Sequence, residues 1–333
     1  MDRGVVSKSN PDGGVKTDWI SPACPRKRFC PTSAPTCCAL DVRGLGAAQL
    51  GTNMSQLPQF WTSAPRGFSL GAGPEANSGV VPALGRDGVH LWMARVPRVG
   101  PVSAQFSALL DREERSRVAR YLRREDRETF VLAHGGLRWL LGAYLRRPPA
   151  TIQFVLGPHG KPELPGPPLH FNLSHSGGHV LWALSAAGPV GVDVERHRPD
   201  FQGAAVVERF FSQAEIVEFR GLAAKERIPA FWRGWSRKEA VIKADGRGLS
   251  VGLGNFDVSL GPACAAPGPP TAVSLLRSSR DASIQPASWH LMDLPPPAQF
   301  ACALALTRCP ADVRGWWLPV PQEPCDTAMG GFR

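Results

Sequence analysis

Between residues 88 and 310 the chain passes twice through one order of patterns, and that repetition constrains the fold more than anything else in it. The first pass reads VHLWMARV as a strand, FSALLDREERSRVARYL and EDRETFVLAHGGLRWLLGAYL as helices, and TIQFVLG, LHFNLS and HVLWALS as short strands. The second reads VGVDVE as a strand, QAEIVEFRGLAA and IPAFWRGWSRKEAVIKA as helices, and FDVSLG, ASWHLMD and FACALAL as strands. Alternation of apolar residues gives the strands; spacing such as Phe130, Leu137, Leu140, Leu141 and Tyr144 gives the helices. Even wording recurs, with IQFVLGPHG in one pass and FDVSLGPAC in the other. The expectation is an α+β protein of two similar halves in a pseudo-two-fold arrangement, residues 88–187 and 188–310. A cleft between such halves is the default place for a ligand.

Outside the repeat the composition changes. Residues 1–87 are rich in Gly, Pro, Ser, Thr and Ala without a sustained period, which predicts a disordered, low-complexity extension. Met54 offers a later translation start. Four of the eight cysteines fall there, in CPRKRFCPTSAPTCC, whose spacing matches no zinc pattern. Residues 311–333 are expected to form an irregular tail. No apolar run reaches the ~18–20 residues a membrane span needs, and the N-terminus lacks the apolar segment of a secretory signal, so a cytoplasmic protein is expected. The formal net charge of +10 asks for an anionic partner: nucleic acid, a phosphate-rich small molecule or an acidic protein surface.

Two segments narrow that choice. In GVDVERHRP, Asp193 and Glu195 stand two apart in an apolar strand, so both carboxylates face one side and repel unless something positive sits between them. In FWRGWSRKEAVIKADGRGLS, Glu239 and Lys243 lie four apart on one helix face, and Gly246 and Gly248 end the helix. On a surface such a pair contributes only about 0.3–0.5 kcal/mol. A helix that also carries Phe231, Trp232, Trp235, Val241 and Ile242 is mostly buried, and a charged face on it points to function. Asp193, Glu195 and Glu239 together suit a hard divalent cation such as Mg2+, which completes its shell with water and substrate phosphate, leaving Lys243 beside that phosphate. FNLSHSG adds Ser174 and His175 at a strand end, a hydroxyl and an imidazole able to hold phosphate. Taken alone, His175 reads more readily as a core histidine.

GKP at 160–162, FNLSHSG, GVDVE, the Phe210-Phe211 pair and WSRKEAVIKADGRGL, in this order and at these separations, resemble the Sfp-type 4′-phosphopantetheinyl transferases. The resemblance covers residues 88–310. It implies the fold of that family, with coenzyme A and Mg2+ between two α+β halves. It also implies transfer of the 4′-phosphopantetheine group from coenzyme A to a serine of an apo acyl or peptidyl carrier protein, releasing 3′,5′-ADP. On matching positions it implies Asp193, Glu195 and Glu239 as metal ligands and Lys243 at the pyrophosphate. Lys161, Ser174 and His175 would hold the nucleotide end of coenzyme A, and Arg117, in a basic helical stretch, would add a phosphate contact. Glu239, directly or through a metal-bound water, would take the serine proton, which makes Glu239 and Lys243 the catalytic pair. A monomer is implied, because the duplication supplies both halves of the site.

One position departs from the pattern. Thr129-Phe130 stands where many relatives have Arg-Phe, which leaves Arg127 to replace that charge or nucleotide affinity weaker. For a carrier with an acidic surface, Phe210-Phe211 with Arg233 and Arg237 at its rim offers an apolar patch ringed by base. Two other readings compete. A basic nucleic-acid-binding protein, suggested by EERSRVARYLRRED, would gain nothing from buried carboxylates that repel phosphate. A serine hydrolase using Ser174 and His175 lacks GxSxG, and neighbouring strand residues point to opposite faces. Neither nucleic acid nor membrane is an expected partner.

Overall fold

The computed structural model describes residues 60–63, 81–98, 102, 104–166, 169–198, 203–262 and 275–320. Most of the expected disordered extension therefore lies outside the described residues. A first strand, β1 (Trp61–Ser63), comes from within it. The first half runs β2 (Gly88–Arg95), α1 (Ala104–Leu109), α2 (Arg112–Val118), α3 (Arg124–Leu145), the hairpin β3 (Val155–Leu156) and β4 (Pro162–Glu163), then β5 (His170–Ser176) and β6 (His179–Ser185). The second runs β7 (Val190–Arg196), α4 (Ala204–Phe210), α5 (Gln213–Gly221), α6 (Ala224–Asp245), the hairpin β8 (Phe256–Val258) and β9 (Leu276–Ser279), then β10 (His290–Asp293) and β11 (Phe300–Leu306). A last strand, β12 (Asp312–Trp317), follows.

The larger sheet has the order β1-β12-β2-β6-β5 and the smaller the order β10-β11-β7. Without β1 and β12 the larger sheet is β2-β6-β5, the counterpart of β7-β11-β10, and both are antiparallel throughout. The protein is thus α+β, with one topology used twice. Among the described residues no helix is long and apolar enough to cross a membrane.

Two expectations need correction. The segment expected to be irregular after residue 310 contains β12, which lies parallel to β2 inside the larger sheet and carries Trp316 into the core against Trp92. The segment expected to be disordered contributes β1, parallel to β12, with the Trp61 indole donating to the Pro295 carbonyl at 2.6 Å. Both strands pair with partners remote in sequence, so no local alternation or turn announces them.

The strands sort their side chains by alternation. Val89, Leu91 and Met93 of β2 meet Val190, Val192 and Val194 of β7 in the core between the sheets. Trp92 and Ala94 face the other way, into the core beneath α3. Ala303 and Ala305 of β11 lie beneath α6. Gly191 brings α6 close to β7, since a Cβ there would run into the Ala240 carbonyl and the Ala244 amide.

In each half a buried cation on the long helix is paired with a glutamate of the preceding helix. Arg138 donates to Glu114 at 2.8 Å and to the Ile152 carbonyl at 2.6 Å, and lies 5.0 Å from the Phe154 ring centre. Lys238 is paired with Glu215 at 2.8 Å, donates to the Leu253 carbonyl at 2.6 Å, and lies 4.4 Å from the Phe256 ring centre. Glu114 and Glu215 each complete a capping box at the start of the preceding helix, with Asp111 and Ser212 as the caps. Removing one partner of such a buried pair costs about 3–5 kcal/mol, because the other charge is left uncompensated.

The halves meet where β5 and β7, each at the end of its sheet, run side by side. Here side chains replace a backbone ladder. Asn172 Oδ1 accepts from the Val192 amide at 2.9 Å, Ser174 Oγ from the Val194 amide at 3.3 Å, and Ser176 Oγ from the Arg196 amide at 3.1 Å.

Candidate active site at the seam between the halves

Alternation along β7 sends its valines into the inter-sheet core and leaves Asp193 and Glu195 on the opposite face, toward α6. Facing them, the i,i+4 spacing on α6 brings Glu239 and Lys243 to one side of the helix. The Lys243 ammonium contacts Asp193 Oδ1 at 2.7 Å and donates to Ser174 Oγ at 3.1 Å, while Ser174 itself donates to Asp193 Oδ1 at 2.9 Å. Glu195 Oε2 accepts from Ser176 Oγ at 2.8 Å. Asp193, Glu239 and Lys243 are all buried, and the second carboxylate oxygen of Asp193 is buried without a hydrogen-bond partner.

The electrostatics follow from that burial. Desolvation pushes the Glu239 carboxyl up, Lys243 pulls it down and Asp193 pushes it up again, leaving its pKa at about 7. Burial works against the Lys243 ammonium, yet Asp193, Glu239 and Glu195 together hold its pKa above the ordinary lysine value. The positive charge that the Asp193/Glu195 pair requires is therefore supplied in part by Lys243. Among the described residues no three His, Cys, Asp or Glu side chains are gathered into one ligand set. Asp193 is turned to Lys243, and Glu195 to Ser176.

His175 and Arg196, next along the strands from Ser174 and Glu195, line a cleft of about 810 Å3, whose wall carries five arginines in all, with Arg95, Arg98, Arg117 and Arg124, against three acids, Glu125, Asp126 and Glu128. Arg117 lies 5.3 Å from the ring centre of Phe130, which forms part of the same wall. Burial, then the neighbouring His134, Lys243 and Arg117, lower the His175 pKa to about 4, so the imidazole is neutral at physiological pH.

The 4′-phosphopantetheinyl transferase superfamily matches this chain over residues 189–305, the stretch that carries all three carboxylates and Lys243. The 4′-phosphopantetheinyl transferase HetI of Nostoc sp. is 32% identical over 227 residues, which is 66% of this chain and 88% of HetI. Sfp of Bacillus subtilis is 32% identical over 157 residues, 47% of this chain and 69% of Sfp. The chain belongs to the Sfp-type 4′-phosphopantetheinyl transferases.

In this transferase the structure brings Asp193, Glu239, Lys243 and Ser174 together, sets Glu195 next along β7, and puts Arg117 and His175 on the cleft wall. Lys161 is placed elsewhere. Its ammonium donates to the carbonyls of Lys243 at 2.6 Å, Val190 at 3.3 Å and Ala244 at 3.4 Å, and it does not line the arginine cleft. Arg127 stays half exposed beside Glu128, and Arg124 lines the cleft instead.

The expected patch around Phe210-Phe211 is not formed as expected either. Phe211 is buried against Phe231, and Arg233 donates to the Leu260 carbonyl. Arg237 is fully buried, held by Asp293 and by the carbonyls of Ser259 and Gly261. α6 is buried continuously from Ser236 to Ala244, so Arg237 is buried with it and has its hydrogen bonds met there. Arg95, Arg98, Arg124 and Arg196 escaped the sequence reading. A signal for two of them was present, since β2 and β7 both end in Arg, at matching places in the repeat.

Proposed function

We propose that this transferase moves the 4′-phosphopantetheine group of coenzyme A to a serine of an apo acyl or peptidyl carrier protein, with Mg2+ as the required cation and 3′,5′-ADP as the product that leaves. The observation that carries the reading is the buried Asp193–Lys243–Glu239 cluster with Ser174 at its side, whose strand neighbours His175 and Arg196 line a cleft rich in arginine. The cluster suits a reacting pyrophosphate and the arginines suit the remaining phosphate of the nucleotide. The net charge of +10 suits a carrier with an acidic surface. A monomer in the cytoplasm is part of the same proposal.

Asp193, Glu195 and Glu239 would hold Mg2+. The unpartnered Asp193 oxygen and the carboxylate chemistry of all three fit a hard cation, toward which Glu195 and Glu239 would have to turn, since the described residues do not gather the three into one set. When bound, such an ion neutralises charge on pyrophosphate oxygens. The chain's own groups do the rest. Arg117, Arg124 and Arg196, with neutral His175 as a hydrogen-bonding neighbour, hold the nucleotide end. Lys243, kept charged by the surrounding acids, stabilises negative charge as the bond between the β-phosphorus and its bridging oxygen breaks and the electron pair leaves with 3′,5′-ADP. Glu239 accepts the proton of the carrier serine as its oxygen bonds to phosphorus. Ser174 keeps Asp193 and Lys243 in register.

Mass spectrometry of an apo carrier incubated with the transferase and coenzyme A tests this directly. The expected result is a mass gain of one phosphopantetheine arm, lost when Mg2+ is chelated. Gain without divalent cation would overturn the metal assignment, and no gain on any acyl or peptidyl carrier would overturn the reading.

A further inference from the structure

We propose that Lys161 is a positioning residue for the transfer reaction, a clamp by which the first half holds the last turn of α6 and the start of β7 at the spacing the site needs. This rests on the functional reading above. Lys161 lies just before β4, in the first half, yet all three of its carbonyl partners, Val190, Lys243 and Ala244, belong to the second. An ammonium has three donors and no acceptor, so three carbonyls engage it fully. Its side chain is buried, with 9% of the residue exposed.

The acceptors are well chosen for the task. The last carbonyls of a helix have no partner within it, and a cation there also meets the negative end of the helix dipole. Gly246, in the left-handed conformation at φ 90°, ends α6 and brings its Cα within the reach of the lysine stem; a Cβ there would stand 3.4 Å from Lys161 Cδ. Burial lowers the Lys161 pKa to about 8, against the opposing charges of Glu163 and Asp245, so the clamp remains charged at neutral pH. One partner is the carbonyl of Lys243 itself, and another opens the strand that carries Asp193. The single ammonium thereby fixes α6 against β7 and with it the 2.7 Å contact between Lys243 and Asp193. Together with Asn172, Ser174 and Ser176, it gives β7 a first-half partner at Val190, Val192, Val194 and Arg196.

Lys161→Met removes the donors and keeps the stem; Lys161→Arg restores a cation. Three readouts apply to both: hydrogen exchange across residues 190–196 and 240–248, kcat and KM for coenzyme A, and binding of 3′,5′-ADP by calorimetry. In the Met variant exchange should quicken in those two segments and not in α3, and kcat should fall on the order of ten- to a hundredfold. KM for coenzyme A and Kd for 3′,5′-ADP should stay within about threefold, and the Arg variant should recover part of the lost kcat. A weakened 3′,5′-ADP complex with normal kcat would make Lys161 a nucleotide contact and overturn the proposal, as would unchanged exchange or unchanged kcat. If the Met variant does not fold, the Arg variant decides, and loosened segments with wild-type kcat overturn the clamp. A wild-type protein that transfers nothing would count against the functional reading, while the exchange measurement still decides the clamp.

Discussion

In the first half Trp92 and Ala94 of β2, with Trp139 and Ala143 of α3, fill the space between sheet and helix. In the second half Asp193 and Glu195 of β7 and Glu239 and Lys243 of α6 stand at the corresponding places. The correspondence follows from the ladders, since β2 ends at Arg95 opposite His179 and β7 ends at Arg196 opposite Phe300. The buried pair of Arg138 with Glu114, by contrast, has its counterpart in Lys238 with Glu215. A device that ties the long helix to its neighbours is kept in both halves. The layer above the sheet is apolar where it only has to pack, and ionic where it faces chemistry, at the expense of the stability that apolar side chains there would give.

Exchanging the roles is the strongest way to break this comparison. Glu239→Gln should lower turnover on the order of 10²- to 10⁴-fold while melting near the wild-type temperature, because it removes the proposed base and metal ligand together without changing volume. Trp139→Phe, at the matching place, should cost about 1–3 kcal/mol of stability and leave turnover per folded molecule intact. Steady-state kinetics beside denaturant melts check both. A fully active Glu239→Gln protein, or a Trp139→Phe protein that is stable and inactive, would end the division of labour.

The shared device can be sharpened by pH. Burial works to raise the Glu114 pKa, but the His134 bond and charge, the Asp111 amide and Arg138 bring it from 4.5 down to about 2. At Glu215 burial outweighs Lys238 and the Val258 and Ser212 amides, and the pKa is raised. A lowered folded pKa stabilises above the unfolded value and loses that stability as pH falls; a raised one stabilises below it and loses that stability as pH rises through the folded value. Glu114→Gln should therefore remove up to about 3 kcal/mol of the acid-dependent loss below pH 4.5. Glu215→Gln should remove a change of opposite sign. Stability measured across the acid range checks the pair, and identical profiles would mean the two devices are equivalent.

The smallest effect concerns β1, which only the first half has. Removing residues 1–59 should leave melting unchanged, whereas removal through Ser63 should cost about 1–2 kcal/mol by exposing the surface that Phe60 and Trp61 cover at Gly315. Turnover should survive both truncations. Superimposable melts would show that β1 adds nothing to the sheet.

What the sequence made legible was whatever depends on period. Alternation placed Asp193 and Glu195 on one face, and helical spacing paired Glu239 with Lys243, because those relations hold within one element. The repeat itself came from the same source. Features made by distant segments stayed hidden: the parallel strands β1 and β12, the convergence of Arg95, Arg98, Arg124 and Arg196, and the inward turn of Arg237 toward Asp293. Lys161 shows the same limit from the other side. Its motif was visible, but its three carbonyl partners lie on elements that only the assembled halves bring within reach.

The position of β12 has a consequence for how the chain is made. The second half's sheet uses strands between Val190 and Leu306, so it can assemble from one continuous stretch as that stretch leaves the ribosome. The first half's sheet cannot. Its strand β2 has β6 on one side but waits on the other for β12, synthesised more than two hundred residues later. Until Trp316 arrives, the pocket beside Trp92 is unfilled and an edge of β2 is open to any other nascent strand. The half translated first is thus the half completed last.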